Sequence, residues 1–188
     1  MLKSLLIGAR ATVLIALLVI FKEPLVYVSL ISALLHEAGH ILCAAALGVK
    51  LSSVRFTLGG VKINADFALI KGADEVMILL AGSGVNFLLC LVSGAVPLYS
   101  EAVLGANLLM GIFNLLPSEG LDGGSIARIL LEKRFLPEKA YKIQKILSHF
   151  TMLAIWFFSI PVMVFSKGNP SLYCVFMALL FVNLRAFG

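Results

Sequence analysis

Residues 34–42 read LLHEAGHIL. The stretch places His36, Glu37 and His40 in HExxH spacing inside an apolar run. On a helix the two histidines fall one turn apart on one face, so they can chelate a single ion. Glu37 beside them can reach a water at that ion and act as general base. A lone histidine on an apolar face is commonly an ordinary core residue. Two histidines and a glutamate within five residues are different, because each costs roughly 2–3 kcal/mol in a membrane helix without a partner.

A catalytic zinc ion usually takes three protein ligands and keeps one position open. Continuing HExxHxxGxxH would need Gly at 43 and His at 46, but the chain has Cys43 and Ala46. The candidates for a third ligand are Cys43, Asp66, Glu119, Asp122 and His149. Depth favours one of them. Counted from Leu25 at about 1.5 Å per residue, His36 lies about 17 Å along its helix and His40 about 23 Å. Counted from Glu101, a second helix reaches Leu116 at about 23 Å and then breaks into PSEGLDGG, which carries Asp122 at matching depth. Cys43 shares the histidine face, Glu119 can touch the same cavity and His149 starts a span, so these remain alternatives.

The elements that must position these groups belong in a bilayer. The chain has 188 residues, 61% hydrophobic and 13% charged, where a soluble domain is nearer half apolar and a quarter charged. The net charge of +5 is no nucleic-acid signal, since the basic residues sit in short loops between apolar segments. Cys43, Cys90 and Cys174 form no CxxC pair. The run ATVLIALLVIF ends in KEPL without a cleavage site and reads as a retained span.

The expected fold is therefore an all-α polytopic membrane protein, one domain over 1–188, with six transmembrane helices at about 5–21, 25–48, 75–97, 101–118, 149–166 and 171–187. A small membrane-associated β-hairpin is expected at about 52–68, after the second helix. There SVRFTL and VKINADFAL alternate around Gly59-Gly60. Pro161 falls inside the fifth span. The break at 114–125 must be sheltered by protein or face a wet cavity. With the N-terminus in the cytoplasm and six alternating spans, 13 of the 15 lysines and arginines fall inside, leaving Lys22 and Lys167 outside. That asymmetry supports cytoplasmic N- and C-termini.

At these residues the chain resembles the site-2 protease family of intramembrane zinc metalloproteases, peptidase family M50. HEAGH resembles its HExxH, and LGG at 58–60 its membrane-associated β-element. AGSGVN at 81–86 resembles its AGPxxN motif, and FNLLPSEGLDGG at 113–124 its NxxPxxxxDG motif. The proline of AGPxxN is Ser83 here, and the usual PFGG is Thr57-Leu58-Gly59-Gly60. The resemblance implies one Zn²⁺ on His36, His40 and Asp122, with Glu37 as base. It implies substrate or oxyanion contacts for Asn86 and Asn114, beside which simple interhelical hydrogen bonding stands as an equal reading. Spacing alone would also suit iron or cobalt.

The activity implied by the resemblance is peptide-bond hydrolysis in or near the transmembrane segment of a membrane-tethered protein. The lipid bilayer is the medium, nucleic acid is no partner, and a regulatory membrane partner is compatible. No segment has the length of a PDZ or nucleotide-binding regulatory domain. The short form resembles the sporulation branch, which releases a pro-sigma factor, and this implies a bacterial inner or forespore-surrounding membrane. The alternatives are an intramembrane metal-ion transporter, since buried His, Asp and Glu also mark ion paths, and a non-catalytic binder of membrane helices.

Overall fold

The computed structural model describes residues 24–49, 51–57, 60–65, 72–95 and 100–165. The expected first and sixth spans and Asp66 lie outside the described residues. Within them, helix α1 runs Pro24–Ala46. Pro24 takes the first position, where a missing N–H costs nothing and a fixed φ helps. Leu51–Thr57 (β1) then pairs antiparallel with Gly60–Ala65 (β2), with Val54 opposite Ile63 and Thr57 opposite Gly60. A register shift between Leu51 and Ser53 breaks the ladder at its far end.

Helix α2, Gly72–Val92, starts with Asp74 and Glu75, which complement the positive end of the helix dipole. It tightens into a 3-10 turn at Ser93–Ala95. Helix α3 covers Ser100–Asn114, α4 Asp122–Glu132 and α5 Pro137–Phe165, with Pro161 inside the last.

Among the described residues, three helices are long and apolar enough to cross a membrane, at Tyr27–Ala46, Gly72–Ala95 and Pro137–Pro161. The expected span at 101–118 is not among them, because α3 stops at Asn114 after 15 residues. Pro117 is the physical cause. It offers no N–H and drives the preceding residue out of the helical region. The last turn tightens instead, with Leu115 N donating to Ile112 O and Leu116 N to Phe113 O. The expected span at 149–166 is a longer helix that begins at Pro137. Between 118 and 149, where the sequence predicts no span, α4 presents Arg128 and Glu132 to the outside as an i,i+4 pair and buries Ile129.

The packing is inverted relative to a water-soluble protein. Leu42, Leu88, Leu91, Leu109, Phe150 and Phe158 are exposed, while among the described residues the largest fully buried side chains are Asn86, Asn107, Ser83, Ser118, Ser148 and Ser159. Lipid removes any reason to hide a leucine, and small polar side chains let helices approach and bond across their interface. α2 sits between α1 and α3, α1 also meets α3, and α4 packs on α5 and touches α2. At the α1–α2 crossing the backbones come so close that a Cβ on Gly39 would lie 2.8 Å from Ala81 O.

Candidate metal centre

Three side chains converge where α1 faces the start of α4. His36 Nε2 and His40 Nε2 lie 3.1 Å apart. Asp122 Oδ2 lies 3.2 Å from the first and 3.3 Å from the second. Both histidines are buried and Asp122 is half-buried. The outer ring nitrogens are already committed. His40 Nδ1–H donates to Ile78 O at 2.7 Å, and His36 Nδ1–H donates to Asn86 Oδ1 at 2.6 Å. This tautomer leaves a lone pair on each Nε2, aimed inward.

The arrangement asks for a cation. Two bare ring nitrogens and a carboxylate oxygen face one another, and Asp122 Oδ2 is buried without a hydrogen-bond donor. Ligand atoms on a tetrahedral zinc at about 2.0–2.1 Å stand about 3.3 Å apart, which the three observed separations match. Among the described residues these three side chains form a group of metal-ligand type.

The neighbouring helices leave room for the rings only because small residues line them. A Cβ on Gly82 of α2 would collide with the His40 ring and come within 2.8 Å of His36 Cε1. Asp122 arrives through the break after Asn114. Gly123 and Gly124 permit that turn, since a Cβ on either would run into the carbonyls of Leu115 or Ser118. The break is pinned from the side by α5. Ser148 Oγ accepts from Glu119 N at 3.0 Å and shares a 3.0 Å hydrogen bond with Ser118 Oγ.

Glu37 is half-buried on α1, between the two ligand histidines in sequence. Of the rivals for third ligand, Cys43 is a half-buried free thiol, Glu119 is exposed and His149 Nδ1–H donates to Lys145 O in its own helix. None of the three joins the group. Asn86 is fully buried, with its carboxamide engaged at both ends, by His36 and by Asn107. Its placement is that of the interhelical hydrogen-bonding reading. Asn114 ends α3 half-buried and makes no side-chain hydrogen bond among the described residues.

The profile of peptidase family M50 matches residues 97–157, which include the break and Asp122. A zinc metalloprotease from Methanocaldococcus jannaschii is 34% identical over 137 residues, 66% of this chain and 39% of that protein. The chain thus spans about two fifths of that curated relative. The solved structure of a site-2 protease from the same organism superposes with a TM-score of 0.65 at 26% identity, covering 93% of this chain and 84% of that one. The chain thus shares the fold of a solved site-2 protease and is similar in sequence to a zinc metalloprotease.

These likenesses and the grouping of His36, His40 and Asp122 agree on the metal, zinc. The geometry also gives the AGSGVN stretch two tasks that its sequence did not reveal. Gly82 clears space for both histidine rings, and Asn86 holds one of them. Asn107, Ser118 and Ser148 escaped the sequence reading, since isolated polar residues in apolar helices carry no spacing signal. The one hint was the recurrence of small or polar residues along α5 at Ala140, Gln144, Ser148 and Thr151, all buried.

Proposed function

We propose that this protein is an intramembrane zinc metalloprotease that hydrolyses a peptide bond in or near a membrane-embedded segment of its substrate. One observation carries the reading: His36 Nε2 and His40 Nε2, on an apolar helix long enough to span a membrane that also carries Glu37, meet Asp122 Oδ2 from the start of α4 within 3.3 Å.

His36, His40 and Asp122 would hold the zinc ion, which would supply Lewis acidity toward a water and a carbonyl. Glu37 takes the proton of the attacking water and passes it to the leaving amine. Asn114, at the end of α3 and next to the break, donates its amide hydrogens to the oxyanion. His36 and His40 are held in their donor tautomer by Asn86 and Ile78 O, so the site needs no reorganisation before it acts.

A helical substrate hides its amides and must be extended before cleavage. The β1–β2 pair supports this step, because an antiparallel pair has edges to which an extended segment can add. The basic-residue asymmetry supports cytoplasmic termini and a site toward that side. The substrate class that fits is a membrane-tethered regulatory protein, with a pro-sigma factor as the narrower candidate from the sporulation-branch resemblance.

The test is Glu37→Gln in the purified full chain. Cleavage of a transmembrane model substrate should fall by at least about 100-fold, the scale of general-base catalysis, with zinc content unchanged. Undiminished cleavage would remove Glu37 from the mechanism. Zinc transport into vesicles that survives the same substitution would favour the transporter reading instead.

A further inference from the structure

The hydrogen bonds around His36 can be followed outward to a group whose role is not negotiable. Asn107 on α3 donates from Nδ2 to Val103 O, one turn back in its own helix, at 2.8 Å. A backbone carbonyl can only accept. Asn107 must therefore turn its Oδ1 the other way, toward Asn86. Asn86 Nδ2 donates to that oxygen at 2.9 Å. With its nitrogen so committed, Asn86 must present Oδ1 to His36, and His36 must meet it with Nδ1–H. Both carboxamides are shielded, Asn86 at 0% and Asn107 at 1% exposure, so water cannot substitute for either partner.

We propose that Asn107 is a positioning residue for the metal centre: through Asn86 it dictates which nitrogen of His36 carries the lone pair. This rests on the reading of His36 as a metal ligand. The two histidines are thus oriented differently. His40 leans directly on a backbone carbonyl of α2, whereas His36 leans on a carboxamide that could rotate by half a turn. A rotated Asn86 would offer Nδ2–H to His36. Nδ1 would then become the acceptor, and the proton would move to Nε2 and block the ligand position. Asn107 prevents that rotation. The final constraint on a ligand of α1 is therefore a carbonyl of α3, and all three helices share in defining the site.

The experiment measures zinc affinity of the full chain in detergent by competition with a chromophoric chelator, and the absorption spectrum of the cobalt-substituted protein. Loss of an outer-shell partner weakens metal binding roughly 10–100-fold, and Asn107→Leu should fall in that range. Asn86→Asp removes the ambiguity, because both of its oxygens accept. Adding Asn107→Leu to Asn86→Asp should then restore affinity to within a few-fold of Asn86→Asp alone, along with its cobalt spectrum. A purely structural defect at Asn107 would not be rescued in this way. Unchanged affinity in Asn107→Leu, or a loss that Asn86→Asp fails to suppress, overturns the proposal. Should the leucine variant not fold, Asn107→Ala carries the same comparison. His36→Ala separates the two levels: a wild-type zinc affinity that survives it removes the metal-site reading itself.

Discussion

Gly82→Ala is the smallest change that should disable the site. The added Cβ would collide with the His40 ring and lie 2.8 Å from His36 Cε1, where ordinary contact begins at 3.4 Å. The His36 ring must therefore move by about 0.6 Å, three times the roughly 0.2 Å tolerance of a metal–ligand distance. Neither ring can swing freely, because each Nδ1 is held at 2.6 or 2.7 Å by its own acceptor. Moving α2 away from α1 would relieve the clash only by opening the close Gly39–Ala81 approach on the same interface. Overpacking of this kind costs about 1–3 kcal/mol. If the metal centre bears all of it, zinc affinity drops roughly 5- to 150-fold, at 1.4 kcal/mol per decade. The assay is chelator competition on detergent-purified protein, paired with turnover of a transmembrane substrate. Gly84→Ala is the internal control, because a Cβ there meets nothing within 4 Å. Equal zinc affinity and turnover in Gly82→Ala and Gly84→Ala would refute the close approach of α2 to the histidines.

Asp122→Ala removes a charged ligand and should weaken zinc by more than the roughly 100-fold upper range of outer-shell changes, as read by metal analysis after dialysis. Cys43→Ala should leave zinc content unchanged, and a loss there would reinstate the thiol as a ligand. Ser148→Ala strips the partner from buried Ser118 and from Glu119 N. It should lower thermal stability by about 1–3 kcal/mol, the cost of an unsatisfied buried polar group, and should loosen zinc through the Asp122 turn.

The histidines were legible because an i,i+4 pair fixes a helical face whatever surrounds it. Asp122 was legible because two helices of known rise can be measured against one membrane. Asn86 was ambiguous, since a carboxamide can donate or accept and only its neighbours decide. α3 proved shorter than its hydropathy suggested because Pro117 acts on residues before it. α4 and the first turns of α5 hid behind Arg128, Glu132, Lys133 and Lys139, whose charges read as a loop. These charges are solvent-facing sides of helices whose other sides pack on one another.

The buried serines and asparagines have a consequence for tolerance to change. A mutational scan of a soluble enzyme finds its sensitive positions among leucines and phenylalanines. Here Leu91 and Phe158 face lipid and should accept most apolar replacements, while a conservative-looking Ser118→Val or Asn107→Leu strikes the interior. Sensitivity ranked by hydrophobicity would run backwards along this chain, so evolutionary drift has its freedom in the greasy residues and its constraint in the polar ones.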